Sequence, residues 1–266
     1  MAHSDYYSQI DRYAYTNRLA KSSPVTKSFF ALSTLFITVS AQSIFVPIAV
    51  FAIMAILTLG LAKVKTRFYL CLLRYPTLMV ALSCIIIALY PFGSGEALTQ
   101  LSFLGFTWTI LNHSVQLALT IFFRVEGALS CVFFLVLTTS ITDLSLLLRR
   151  AHVPKTLVEI SMLIYRYIFV FMEVAEQMTI AQALRLGKGG WLKKIRGLAL
   201  LAGNLFIRAL EQAERTFTAM SARGYDGTIR VLEGYPKPNK IVLVAILVFD
   251  VLLAIAVYLT LNFGVL

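Results

Sequence analysis

Arg185 and Arg223 are the two side chains best placed to act on a partner. Each stands at the end of a long helical pattern beside glycine, Arg185 before Gly187 and Arg223 before Gly224. A guanidinium forks onto a carboxylate in two parallel hydrogen bonds, so it both holds and orients what it meets. Ala222 and Gly224 are small enough for a partner's surface to approach the backbone closely. A lone arginine here would need no partner, because it can bond the last helix carbonyls and favour the negative end of the helix dipole. Two long basic helices, each delivering an arginine to an exposed turn, point instead to docking.

Other chemistries find little support. His3, His113 and His152 are far apart and none has a partner at helix spacing, so no metal site is expected. Cys71, Cys84 and Cys131 have neither metal nor disulfide spacing and read as free thiols. Gly187-Lys188-Gly189-Gly190-Trp191-Leu192-Lys193 lacks the spacing and ending of a phosphate loop and reads as a turn. The chain is therefore expected to be no enzyme, to hold no cofactor and to bind no nucleic acid. Arg124, Glu126 and Asp250 lie in or beside apolar runs, where ionisable groups are functional candidates by default. They are few for a proton relay, and structural pairing, with each other or with a partner, is the expectation.

Two long helices must position the arginines. The first runs from about Leu157 to Leu186, after a short helix over Asp143–Arg150 that Pro154 stops. Thr156 is expected to cap it. Glu159, Arg166 and Glu173 recur along one stripe, while Ile160, Met162, Leu163, Ile164, Tyr167, Phe169 and Phe171 cover the rest. The second runs from about Leu192 to Ser221. Asn204, Arg208, Glu211 and Arg215 take one face; Ile195, Leu198, Ala202, Leu205, Phe206, Ala209, Ala213, Phe217 and Met220 take the other. The pair is expected to cross with the apolar faces packed together and against membrane spans.

Hydrophobic residues make up 59% of the chain, charged residues 14%, and the mean hydropathy is +0.80. A soluble domain is about 25% charged, so the composition implies an integral membrane protein. Uncharged runs between Lys27 and Lys63, over Tyr75–Gly95, Ala97–Phe123 and Gly127–Thr142, and from Ile241 onward broken only by Asp250, supply the spans. Their helical period argues against a β-barrel. Residues 1–27 are polar and read as no cleavable signal peptide.

Charge sets orientation. The net charge is +11, with Lys and Arg gathered at Arg12–Lys27, Lys63–Arg74 and Arg149–Lys240. The positive-inside rule puts all three in the cytoplasm, and the acidic Pro91–Thr99 outside. The predicted fold is an all-α integral membrane protein of about five to six transmembrane helices plus two long cytoplasmic amphipathic helices. An N-terminal membrane region, 1–142, has spans near 28–61 (turning at Ala41-Gln42-Ser43), 75–90 and 116–142. Leu101–Val115 is either a sixth span or an outer-face helix. The cytoplasmic region covers 143–240 and a final span 241–266.

The motifs resemble the transmembrane T component of energy-coupling-factor (ECF) transporters. In that family two coupling helices each end in an Ala-Arg-Gly motif that docks on an ATPase. The second motif stands as Ala222-Arg223-Gly224 within Ala219–Tyr225; the first is altered to Leu184-Arg185-Leu186. Ile10–Ala14, Pro24–Lys27, Thr138–Asp143, Arg149–Pro154 and Leu201–Arg208 are similar to the cobalt/nickel, CbiQ-type branch. The resemblance implies a cell-membrane coupling subunit of an ATP-driven importer, for cobalt or nickel. It also implies two cytoplasmic ATP-binding cassette subunits as partners and a separate, CbiM-like, metal-binding membrane S component. The alternative is a self-sufficient secondary transporter, which predicts internal repeats and polar groups at mid-membrane; no matching halves are visible. An ordinary permease would dock ATPases through a short loop helix, and a membrane enzyme would need a carboxylate or histidine cluster.

Overall fold

The computed structural model describes residues 2–89, 97–103, 106–151, 153–186, 190–227 and 239–262. They form nine α-helices and one β-hairpin: α1 Ala2–Thr16, α2 Pro24–Ser40, α3 Phe45–Ile56, α4 Thr66–Leu89, β1 Ala97–Phe103, β2 Phe106–Leu111, α5 Asn112–Thr138, α6 Ile141–Arg150, α7 Lys155–Leu186, α8 Trp191–Ala222 and α9 Lys240–Asn262. The chain divides into two compact units, one of Asp5–Ser140 with Tyr235–Leu266, the other of Met1–Ser4 with Ile141–Gly234.

In the first unit three helices are long and apolar enough to cross a bilayer, over Thr66–Ala88, Ser114–Thr138 and Lys240–Thr260. Pro24–Ser40 and Phe45–Leu61 are shorter apolar helices, the latter closing with a π-helical turn at Leu57–Leu61. Pro24 opens α2, where its fixed φ suits a helix start and its missing N–H costs nothing. Ala41 turns to extended backbone and ends α2 at the expected break. The core of the unit joins Val50 and Met54 of α3 to Cys131 and Phe134 of α5, with Leu253 of α9. Gly127 lets α5 approach closely, because a Cβ there would stand 2.9 Å from both Pro47 O and Thr38 Cγ2.

Two buried polar side chains tie separate segments together through backbone carbonyls. Lys27 is 5% exposed, and its Nζ donates to the carbonyls of Leu19 (3.0 Å) and Thr138 (2.7 Å). Asn17 Nδ2 donates to Leu137 O at 3.0 Å. The ammonium thus caps the Thr138 carbonyl at the end of α5 and shares the Leu19 carbonyl with the Ser22 N–H, a charge-assisted arrangement.

Two expectations are corrected, and a third in its part about pairing within the chain. Leu101–Val115 is neither a sixth span nor a surface helix. Leu101–Phe103 and Phe106–Leu111 lie in antiparallel strands, paired from Ala97↔Leu111 to Phe103↔Phe106, and the helix starts at Asn112. Thr99, Phe103, Phe106, Thr107, Trp108, Thr109 and Ile110 are β-branched or aromatic, and they fit a pleated surface better than a helix. Arg124, Glu126 and Asp250 make no ion pair with each other among the described residues; Asp250, buried on α9, accepts the Thr34 hydroxyl of α2 at 3.4 Å. Thr156 does not cap α7, which starts at Lys155 directly after Pro154, so Thr156 falls within its first turn.

The second unit contains α6, α7 and α8, with α6 on α7 and α7 on α8. The expected helices near Leu157–Leu186 and Leu192–Ser221 are both present, each extended by one or two residues. His152, Gly187, Lys188 and Gly189 lie outside the described residues, as do Pro91–Gly95 and the side chains of His3 and His113.

Candidate functional site

Helices α7 and α8 run antiparallel. Tyr225, just past α8, donates to Glu159 Oε2 near the start of α7 at 3.3 Å. Tyr167 and Thr216 share a hydroxyl–hydroxyl hydrogen bond midway. Near the other end, the Cβ position of Gly197 lies 3.7 Å from Gln182 Oε1. Such a pair holds its two C-termini at opposite ends. From Gly197, opposite Gln182, to Arg223 is on the order of 40 Å at ~1.5 Å per residue.

Arg223 sits at one end on a left-handed helix stop. Gly224 N donates to Ser221 O at 3.1 Å and Tyr225 N to Met220 O at 3.1 Å, the paired bonds of a Schellman cap. Gly224 has φ +75°, a conformation that a Cβ disfavours, which explains why glycine follows the arginine. Nothing lies within 4 Å of where its Cβ would be, so backbone conformation, and no crowding, calls for glycine. Tyr225 and Met220 line the same groove. Ala222, Arg223 and Gly224 are all exposed.

Arg185 lies in the last turn of α7 at the other end. It opens on a polar cleft of about 800 Å³ between α7 and α8, with Gln182, Asn204, Arg208, Glu211 and Arg215. Only Arg215 and Glu211 are close enough to pair among the described residues, at 3.7 Å and both well exposed, so that contact is weak. Leu184 is 84% exposed beside it. Leu186 ends α7, and its side chain lies outside the described residues. The structure therefore gathers Arg185 with the polar stripe of α8 and leaves Arg223 apart from it.

The opposite side of the pair is an apolar groove of about 860 Å³. Ile160, Ile164 and Tyr167 line it from α7, and Leu205, Ala209 and Phe217 from α8. Phe217 is 64% exposed, so the two apolar faces meet without covering each other.

Sequence reasoning missed the Tyr225–Glu159 tether. Both residues were in view, Tyr225 within the motif and Glu159 on the polar stripe, but nothing in their spacing announced contact. The Tyr225 phenol is pushed above its ordinary value, first by its partial withdrawal from water and then by the Glu159 carboxylate, so it is a donor at neutral pH.

The sequence matches the family described as cobalt transport protein, CbiQ, over residues 16–233, a stretch that includes both arginines. It is 37% identical over 254 residues to an uncharacterized protein of Methanocaldococcus jannaschii, covering 96% of this chain and 94% of that one. It is 34% identical over 225 residues to a putative fused cobalt transport protein CbiMQ of Methanocorpusculum labreanum, covering 84% of this chain and 37% of the fused one. The cobalt transport protein CbiQ of Rhodobacter capsulatus is 41% identical over 110 residues, covering 41% of this chain and 45% of that protein.

Proposed function

Because the chain belongs to the CbiQ family of cobalt transport proteins, we propose that it is the transmembrane coupling subunit of an ATP-driven ECF-type importer for cobalt or nickel ions. The observation that carries this reading is the placement of Arg185 and Arg223, exposed at opposite ends of one antiparallel helix pair. Neither has an ion-pair partner among the described residues. A rigid pair whose two ends are gripped separately converts the closing of two ATPases into a rotation or shift of the pair.

In this reading Ala222, Arg223 and Gly224 dock one ATP-binding cassette subunit, and Leu184, Arg185 and Leu186 dock the other. The unit of α6–α8 and the N-terminus face the cytoplasm of the cell membrane, where the positive-inside rule puts them. α2 and α3 with the three longer helices give five spans. ATP is hydrolysed by the partners. The substrate-binding membrane subunit is CbiM-like, a reading supported by the relative in which CbiM and CbiQ form one named fusion. The apolar groove on α7 and α8 supports a surface for that subunit.

The test is copurification of the tagged full chain with its ATPases, for wild type, Arg185→Ala, Arg223→Ala and the double variant. Removing one guanidinium strands a partner carboxylate, at about 3–5 kcal/mol if the interface closes over it. Each single variant should lose ATPase, and the double variant nearly all of it. ATPase retained in full by the double variant, or absent from the wild type, overturns the assignment.

A further inference from the structure

A second basic site lies within the other unit. Arg12 of α1 and Lys65 and Arg67 at the start of α4 open on one pocket of about 500 Å³. Gln9 and Thr16 add polar groups to its wall, and the Tyr13 ring contributes from α1. That ring packs on Phe68 of α4, centroids 4.9 Å apart at 32°, and holds the two helices in register. No acid lines the pocket, and none of the three cations makes an ion pair among the described residues. Three like charges turned toward one cavity repel one another, and an anion held between them reverses the sign of that interaction.

Which anion follows from the pocket's position. The bilayer-length segment of α4 begins at Thr66, so the cations stand where a span meets the headgroup layer. Along the face that Arg67 opens, Leu70, Leu78 and Leu82 are exposed at helical spacing, interrupted by the exposed Arg74 between Leu70 and Leu78. A soluble phosphate would use the cations alone, whereas a phospholipid would use both the cations and that apolar stripe. We propose that Arg12, Lys65 and Arg67 bind the phosphate headgroup of an anionic phospholipid whose acyl chains lie along α4. Basic pockets beside membrane helices recognise such headgroups. The proposal is independent of the docking reading, since no residue is shared.

The full chain, delipidated in detergent, is titrated with phosphatidylglycerol or phosphatidylcholine of identical acyl chains, and retained lipid is counted by native mass spectrometry. Wild type should retain phosphatidylglycerol at least ~10-fold better. The triple variant Arg12→Gln, Lys65→Gln, Arg67→Gln should fall to the phosphatidylcholine level. Lys193→Gln, Lys194→Gln, Arg196→Gln, which removes the same charge from α8, should keep the preference. Equal retention of the two lipids by wild type needs no variant and overturns the proposal. So does an equal loss in the α8 variant, which would mean unspecific attraction. Glycerol phosphate that binds as tightly as the lipid and displaces it would make this a site for free phosphate and would also overturn it.

Discussion

Tyr225 fastens the end of α8 to the start of α7 by donating its phenolic proton to Glu159 across 3.3 Å. The tether acts two residues after Arg223, so it fixes the turn that presents the guanidinium. Tyr225→Phe keeps the ring in its groove and removes only the hydrogen bond. ATPase retention should weaken roughly two- to tenfold, the range of one ordinary hydrogen bond. The raised phenol also sets a pH window. A group whose folded value lies above its unfolded value stabilises fully below the unfolded value, here 10.0, and loses that effect as pH climbs through the folded one. The gap in unfolding midpoint between wild type and Tyr225→Phe should thus be constant from neutral pH to about 10 and shrink above it. A gap that closes already near pH 8 would disprove the tether.

Gly224 follows Arg223 because its φ of +75° is left-handed. Gly224→Ala should cost roughly 1–2 kcal/mol of local conformational energy, and Gly224→Asn less, since asparagine tolerates that region. The side chain has open space, so a purely steric account predicts no effect from either change. Ranking ATPase retention as glycine over asparagine over alanine checks the conformational account; equal retention by all three sinks it.

Gly127 on α5 is the opposite case. An alanine Cβ would press on Pro47 O and Thr38 Cγ2 at 2.9 Å, and a backbone oxygen cannot move aside cheaply. Gly127→Ala should destabilise by about 1–3 kcal/mol. Gly203→Ala is the control: it sits within α8 with nothing within 4 Å, and it should gain up to about 1 kcal/mol from helix propensity. Thermal unfolding of both variants in detergent reads the contrast. Opposite signs are the expected result, and a shared sign would mean that the close approach at Gly127 does not hold.

The helices of the docking unit were legible because amphipathic period and punctuation are local. The stripe of Asn204, Arg208, Glu211 and Arg215, and the glycine after Arg223, stand in the sequence in plain order, and so did the break at Ala41. The apolar runs likewise marked α4, α5 and α9, since a bilayer demands length and lack of charge whatever the neighbours are. Leu101–Val115 was read as helix because an uncharged run looks alike in either conformation, and only cross-strand pairing with a second segment decides between them.

Contacts between distant residues were beyond the sequence for the same reason. Lys27 reads as one more basic residue before a span, and only the fold brings the Thr138 carbonyl to its ammonium. Asp250 invites an ionic partner, yet the packing of α9 on α2 offers it the Thr34 hydroxyl. By itself the sequence determined that the two long amphipathic segments after Pro154 are helical, which runs are apolar enough for lipid, and where two arginines end long helices. The tertiary structure alone decided that α7 and α8 run antiparallel, so that Arg185 and Arg223 stand far apart. It alone brought Arg12 to Lys65 and Arg67. Helical period is set over a few residues, whereas the meeting of two helices depends on every contact made between them.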